Sequence, residues 1–158
     1  MADLIVRLYD LPELSSSMSK MKELDIEIRR PMPFESRIVV KWVEDNYGQS
    51  WAMQAQAAFY NQPISCFMAV KNNSIIGFAA YDATCINFFG PTGVLEEYQG
   101  RGIGKSLLLQ SMAAMRENGY AYAIVGGAGP IDYYKKTLDA QEIHKSTPGI
   151  YANRIDSA

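Results

Sequence analysis

The chain has 158 residues, of which 48% are hydrophobic and 20% are charged, and its formal net charge is −2. This composition excludes a disordered chain. The length favours one domain over residues 1–158 that buries about 70% of the surface its unfolded chain exposes. The sequence has no long basic run, which argues against nucleic acid as a main partner.

The chain also shows no membrane or metal signal. No apolar run approaches the ~20 residues of a membrane span, and no leader pattern opens the sequence, so we expect a cytoplasmic protein with no membrane partner. His144 has no Cys or His at ligand spacing, so we expect no metal site. Cys66 and Cys85 lie far apart in apolar segments, which favours reduced, buried thiols over a disulfide or a catalytic pair.

The first sixty residues predict one strand and three helices. Residues 4–9 are short and rich in β-formers, and residues 13–24 carry a weak helical pattern. Ser36 is expected to cap a helix that Gly48 ends or bends, and a further helical stretch follows over residues 49–60. The proline-rich residues between the first and second helices are predicted as a connection.

A β region follows these helices. Residues 64–71 and 74–81 are joined by Asn72-Asn73, and two asparagines predict a tight hairpin because they tolerate positive φ. A third strand begins at residue 86 and resumes after Gly90-Pro91. Proline cannot donate to a ladder, so we expect a bulge or a splay of the sheet there.

The last part of the chain predicts alternating helices and strands, and the whole order indicates a mixed α/β domain. The predicted elements are a helix over about 104–118 that stops at Asn118-Gly119, a strand over 120–125, a helix over 131–138 and a final hairpin of residues 141–146 and 150–155.

The most informative segment is a glycine-rich turn between the third strand of the β region and the next helix. Its glycines at positions 100, 102 and 104 let the backbone approach a ligand closely. The first N–H groups of a helix lack partners, and the helix dipole favours an anion there. Arg101 and Lys105 place positive charge at this helix start, which costs about 0.3–1 kcal/mol unless an anion compensates. The turn therefore indicates a phosphate site, with a plain strand-to-helix turn as the alternative.

Two stricter phosphate motifs do not fit the turn. A P-loop ending in Gly104-Lys105-Ser106 requires glycine where Gln99 stands. A dinucleotide motif beginning at Gly100 has Lys105 in place of its third glycine. A P-loop nucleotide binder is therefore a weak alternative.

The segment around the turn resembles the acetyl-CoA motif of the GNAT superfamily of N-acetyltransferases. That motif has the form Q/R-x-x-G-x-G/A between a strand and a helix, and Gln99, Gly102 and Gly104 fill its fixed places. Residues 75–78 resemble the preceding strand of the family, and residues 132–136 resemble its tyrosine-bearing helix. The resemblance implies a mostly antiparallel central sheet that is splayed around the acetyl-CoA arm and flanked by helices.

The resemblance also implies how acetyl-CoA, as co-substrate, would bind. The pantetheine arm would pair with the backbone near Val94 and Leu95 like an added strand, and one of these two N–H groups would stabilise the oxyanion. Many family members carry asparagine at the place of Gly127, so a cofactor hydrogen bond is expected to be lost or replaced. The residues expected to cradle the pyrophosphate are Gln99, Gly100, Arg101, Gly102, Ile103, Gly104 and Lys105.

The chemistry implied is acetyl transfer from acetyl-CoA to a primary amine of a small molecule or peptide, by direct attack in a ternary complex. Tyr134 matches the general acid of the family that protonates the departing thiolate, with a packing role as the alternative. Tyr133 is expected to face the core. The resemblance also makes a homodimer a reasonable expectation, whereas the acceptor is not evident from the sequence.

Several roles stay open at this point. The base that deprotonates the amine could be Asp82 or Asp132, while Glu96 and Glu97 are more simply solvated carboxylates. A catalytically silent sensor or regulatory module that binds CoA or acyl-CoA would share the same fold. Four aromatic residues either line the acceptor pocket or pack in the core: Trp42, Tyr47, Trp51 and Phe59.

Overall fold

A single sheet of seven strands forms the centre of the protein, in a computed structural model that describes residues 1–155. The strands are β1 (Leu4–Arg7), β2 (Glu27–Arg29), β3 (Cys66–Lys71), β4 (Ser74–Tyr81), β5 (Phe88–Val94), β6 (Tyr122–Val125) and β7 (Gln141–Glu142). They lie in the order β2-β3-β4-β5-β6-β1-β7, and every neighbouring pair is antiparallel except the parallel pair β5 and β6. The predicted mixed α/β fold with a mostly antiparallel sheet is confirmed.

Within the described residues, five α-helices cover the two faces of this sheet. They are α1 (Ser15–Glu23), α2 (Ser36–Tyr47), α3 (Gln49–Ala58), α4 (Ile103–Glu117) and α5 (Ile131–Leu138). Alternation along β3 shows the two faces: Phe67 packs in the core with α1, α4 and α5, and Met68 packs in the core with α2 and α3. No helix within the described residues has the length and apolarity needed to cross a membrane.

The sheet opens between β5 and β6. Among the described residues these two strands pair only through Phe88 and Phe89 of β5, and from Gly90 onward β5 continues beside β4 alone. The register between β4 and β5 shifts between Ala79 and Tyr81. The bulge and the splay expected at this point are therefore both present, and they leave a gap inside the sheet.

Several local predictions are confirmed. Asn72 and Asn73 join β3 to β4 with φ values of 51° and 60°. Gly119 follows the end of α4 with a φ of 100°, and α5 spans the predicted residues 131–138. These elements depend on local turn chemistry and on helical periodicity, which the sequence carries directly.

The predicted C-terminal hairpin is wrong. Between residues 141 and 155 only Gln141–Glu142 forms a strand, which pairs with β1, and Gly149–Tyr151 forms a 3-10 turn. The physical reason is an interaction with the other end of the chain. The N–H of Asp3 donates to Oγ of Ser146 at 2.8 Å, so this segment packs on the start of β1 rather than on a strand of its own.

The region before α2 also differs from the prediction. Strand β2 was missed because its three residues include a single buried side chain, that of Ile28. Ser36 is the first residue of α2 and not its cap, and no side chain within residues 1–155 caps this helix. Instead, Glu35 forms an ion pair with Arg29 at 2.8 Å and accepts a hydrogen bond from the Met32 N–H at 2.7 Å.

Candidate functional site

A groove of about 630 Å³ begins at the N-terminal end of α4 and reaches the side chain of Tyr134. It follows the edge of β5 that β6 leaves uncovered. This N-terminal end, which we call the mouth of α4, is thus open rather than filled by side chains of the protein itself. The groove is lined by Phe89, Thr92, Gly93, Val94, Tyr98, Gln99, Gly100, Gly102, Ile103, Gly104, Lys105, Leu108, Pro130, Tyr133 and Tyr134.

Six consecutive backbone N–H groups at this mouth have no hydrogen-bond partner among residues 1–155. They belong to residues 100–105, whereas the flanking N–H groups of Gln99 and Ser106 donate to the carbonyls of Glu96 (3.2 Å) and Gly102 (3.0 Å). Gly102 precedes α4 in the left-handed region with a φ of 84°, and within the described chain no side chain caps the helix. A row of unpaired N–H groups at the positive end of a helix dipole is suited to an anion.

Gly104 keeps the mouth open. Its φ is not positive, and a β-carbon placed there would lie 3.7 Å from Cγ2 of Val94, an ordinary contact. Neither the backbone nor the packing therefore requires glycine at this position. Glycine costs a helix about 0.5–1 kcal/mol relative to alanine, so the residue is explained by the space that it leaves in the groove.

Val94 and Leu95 differ in what their backbones offer a ligand. The Leu95 N–H donates to the Ile76 carbonyl at 2.9 Å, and the Leu95 carbonyl accepts from the Tyr98 N–H at 2.9 Å. Successive N–H groups of a strand point to opposite sides, so the Val94 N–H points away from β4, toward the open edge of β5. Of the two N–H groups expected to meet the acetyl oxygen, that of Val94 has no partner in the sheet among the described residues.

Three basic side chains surround the turn. Lys105 lines the groove, and the Arg101 guanidinium lies 5.3 Å from the centre of the Tyr98 ring. The third is Lys20 of α1, whose Nζ would lie 3.2 Å from a β-carbon placed at Gly102. Lys20 could not be identified from the sequence, because this contact joins two segments that no sequence pattern connects.

Tyr134 is the buried tyrosine of α5. It is 6% exposed, its ring packs edge-on to that of Phe89 with 6.5 Å between the centroids, and burial raises its pKa to about 12. The phenol therefore keeps its proton at neutral pH. Tyr133 also lines the groove but is 38% exposed, so the expectation that Tyr133 faces the core is wrong.

A second groove, of about 430 Å³, lies on the α3 face of the sheet. The buried Phe89 belongs to the lining of both grooves, so both grooves border this side chain, which lies where β5 and β6 separate. The second groove is lined by Met1, Ser50, Trp51, Gln54, Thr84, Phe88, Phe89, Gly90, Pro91, Gly126, Gly127, Pro148, Tyr151 and Arg154.

The candidate bases line neither groove. Asp82 accepts hydrogen bonds from the Asn87 N–H at 2.7 Å and from the Tyr120 hydroxyl at 3.2 Å, which hold it in the loop after β4. Asp132 lies exposed in the first turn of α5. The carboxylates at positions 96 and 97 are exposed in the short 3-10 turn before the glycine turn.

Of the four aromatic candidates, Trp51 is the one that lines the second groove. Trp42 and Tyr47 pack against Phe78 of β4, with ring centroids 5.9 Å and 5.8 Å from it. Phe59 packs against the same core cluster. These three residues therefore contribute to the core between α2, α3 and the sheet.

Gly127, where the resemblance expects an asparagine, lines the second groove and not the first. Its N–H donates to Oδ1 of the buried Asp3 at 2.8 Å. That N–H is therefore engaged within the protein.

Both cysteines are free thiols, as expected, although Cys66 is buried and Cys85 is only half-buried. Residues 1–155 contain no group of three or more His, Cys, Asp or Glu side chains that could hold a metal.

Comparisons with known proteins are consistent with this architecture. The model of the acetyltransferase (GNAT) family matches residues 36–138. None of the curated proteins compared matches the chain. A similar solved structure is a GCN5-related glucosamine N-acetyltransferase region of a fungal multi-domain GH3 beta-N-acetylglucosaminidase. It has a TM-score of 0.73 and 17% identity, and the match covers 90% of this chain and 19% of that chain.

Two bacterial structures are also similar. A GCN5-related N-acetyltransferase from Sphaerobacter thermophilus has a TM-score of 0.68 and 17% identity, with 90% of this chain and 48% of that chain covered. A GNAT family acetyltransferase from Brucella melitensis, in complex with acetyl-CoA, has a TM-score of 0.56 and 19% identity. That match covers 75% of this chain and 86% of that chain.

The chain therefore spans about a fifth of the fungal protein and about half of the Sphaerobacter protein. At such identities these likenesses show the fold, namely a mostly antiparallel sheet flanked by helices. The family model is the evidence for family membership, because it covers more than half of the chain and includes the glycine turn, the gap in the sheet and α5. On these grounds the chain belongs to the acetyltransferase (GNAT) family.

Proposed function

We propose that this protein transfers an acetyl group from acetyl-CoA to the primary amine of an acceptor, by direct attack in a ternary complex. We also propose that residues 1–158 form one N-acetyltransferase domain. The observation that carries the proposal is the row of unpaired N–H groups at residues 100–105, which opens into a groove that reaches Tyr134. Membership of the family supports an acyl-CoA-dependent acyltransferase in general.

The chemistry of the groove fits acetyl-CoA. A diphosphate would meet the unpaired N–H groups, the helix dipole and the cations of Arg101 and Lys105, all of which favour negative charge. The pantetheine arm carries amides, and the open edge of β5 at Val94 offers backbone groups to pair with them, as in strand addition. Gly104 leaves the backbone accessible to the ligand.

When bound, acetyl-CoA supplies a thioester whose carbonyl carbon forms a bond with the amine nitrogen. The Val94 N–H stabilises the negative charge that develops on the acetyl oxygen. Tyr134 gives its proton to the sulfur as the carbon–sulfur bond breaks. It receives a proton from the nitrogen in turn, so one proton passes from nitrogen to sulfur and the products are an N-acetyl amine and a free thiol.

The raised pKa of Tyr134 suits this relay. A buried phenol with a pKa of about 12 does not give up its proton to water at neutral pH. It donates a hydrogen bond to the sulfur and releases the proton as it accepts another one. Because Asp82 and Asp132 line neither groove, the amine reacts as the fraction that is already unprotonated in solution.

The amine enters through the second groove. This groove borders Phe89, whose ring also packs against that of Tyr134 in the first groove. Its wall combines the aromatic rings of Trp51 and Tyr151 with the amide of Gln54 and the hydroxyl of Thr84. Such a wall suits a small amine that has an apolar face and several hydrogen-bonding groups.

Glucosamine is the first acceptor to test. It combines an apolar ring face with hydroxyl groups, and the fungal structure that resembles this chain is described as a glucosamine N-acetyltransferase region. A panel should add free amino acids, a polyamine and a lysine peptide. Release of free thiol from acetyl-CoA then reports turnover for each amine.

Tyr134→Phe tests the mechanism directly. We expect acceptor-dependent thiol release by the native protein, and a loss of about 100-fold in kcat with an unchanged Kd for CoA in Tyr134→Phe. Tyr60→Phe is a matched control, since Tyr60 is an exposed tyrosine that lines neither groove. Tight CoA binding without thiol release for any amine would favour the sensor alternative, and an unchanged kcat in Tyr134→Phe would remove the acid role.

A further inference from the structure

Helix α1 is docked directly on the start of α4. The side-chain hydroxyls of Ser17 and Ser106 form a hydrogen bond. The Ser106 hydroxyl is also placed to donate to the Ser17 carbonyl, at 3.4 Å. Ser106 belongs to the first turn of α4 and is fully buried. The hydrogen bond therefore fixes α1 beside the glycine turn.

Lys20 extends from this contact over the turn. It follows Ser17 by three positions, which is nearly one helical turn, so both residues lie on the same side of α1. A β-carbon placed at Gly102 would lie 3.5 Å from Cδ, 3.6 Å from Cε and 3.2 Å from Nζ of Lys20. The end of the lysine side chain thus covers the residue that precedes the first turn of α4.

Within residues 1–155, no carboxylate forms an ion pair with Lys20. Among the same residues no ion pair involves Arg101 or Lys105, and the first turn of α4 has no acidic residue. Three cations beside the positive end of a helix dipole repel one another. An anion bound among them removes that repulsion and receives charge-assisted hydrogen bonds.

We propose that Lys20 binds the diphosphate of acetyl-CoA, so that this group is held between α1 and the start of α4. The inference rests on the proposed function and adds to it a residue outside the Gln99–Gly104 motif. As a consequence, the preference for a phosphorylated carrier over a shorter acyl thioester depends partly on α1, which lies far from the motif in the sequence.

The test measures ligand binding by calorimetry without an acceptor, so it does not depend on turnover. The ligands are CoA, dephospho-CoA, which retains the diphosphate, and pantetheine, which has no phosphate. The variants are Lys20→Gln, Lys20→Arg and the control Lys22→Gln. Lys22 is an exposed lysine of the same helix that faces a different surface, beside Asp25.

We expect Lys20→Gln to lower the affinities for CoA and dephospho-CoA by the same factor, about three- to tenfold at low salt. The affinity for pantetheine should not change. High salt should reduce the loss, because the interaction is between exposed charges. Lys20→Arg should retain most of the affinity, and Lys22→Gln should match the native protein.

Two results would overturn the inference. One is an unchanged CoA affinity in Lys20→Gln, and the other is a loss for CoA that disappears with dephospho-CoA, since that loss would come from a different phosphate. Failure of the proposed function gives a different result: the native protein would then either not bind CoA at all, or bind CoA and release no thiol with any amine. Thermal unfolding of each variant checks that α1 remains folded.

Discussion

The two grooves beside β5 are built in different ways. The first begins at the backbone N–H groups of one continuous segment, residues 100–105, and it reaches Tyr134. The second is formed by side chains and turns from α3, the loop after β4, β5 and both ends of the described chain. A backbone site depends on helix geometry, which few substitutions change, so it suits the constant part of a ligand. A side-chain site can change its ligand through single substitutions while the sheet stays the same.

The largest expected effect is at the backbone site. Gly104→Glu would place a carboxylate among the unpaired N–H groups, and we expect the affinity for CoA to fall by about 100-fold or more by calorimetry. Far-UV circular dichroism should match that of the native protein, because a β-carbon at position 104 meets only Cγ2 of Val94 at 3.7 Å.

Gly104→Ala provides the matched control for this prediction. Alanine favours the helix, so the free energy of unfolding should rise by about 0.5 kcal/mol, while the affinity for CoA falls less than in Gly104→Glu. A native-like CoA affinity in the glutamate variant would show that the diphosphate does not bind at this turn.

A smaller effect is expected at the side-chain site. Trp51→Ala removes an aromatic wall of the second groove, so the KM for the acceptor should rise by about tenfold while the Kd for CoA stays the same. Met53→Ala is the control, because Met53 is exposed on the same helix and lines neither groove. If Trp51→Ala raised the Kd for CoA as much as the KM for the acceptor, the two grooves would not be independent sites.

The smallest effect is expected in the pH profile of kcat. Burial raises the pKa of Tyr134 to about 12, so the phenol stays protonated, and active as an acid, until the pH approaches that value. With saturating substrates, kcat measured from about pH 6 to about pH 10 should rise or level off but not fall. A decline in kcat centred well below pH 10 would contradict the role of Tyr134 as the acid.

The first groove could be predicted from the sequence because its parts are contiguous. Gln99, Gly102 and Gly104 form a short motif, and Tyr134 lies on a helix whose bounds the periodicity also indicated. The gap in the sheet followed from Gly90-Pro91. In each case a local rule on φ, on helix ends or on ladder hydrogen bonds was enough.

The second groove and the cation from α1 could not be predicted in the same way. The sequence did not distinguish Trp51, which lines a groove, from the other three aromatic candidates, because amphipathic helices also direct aromatic side chains into the protein core. Lys20 and Gly102 meet only through the packing of α1 on α4. Tyr133 and Tyr134 are neighbours, and the docking of α5, rather than its own pattern, decided which one is buried.

The hydrogen bonds of Asp3 also matter for how the protein is handled. They tie the beginning of the chain to Ser146 and Gly127, and Met1 and Arg154 both line the second groove. An affinity tag joined to Met1 would therefore begin beside the second groove, where we propose that the acceptor enters. Acceptor screens are best run on protein without a tag at Met1.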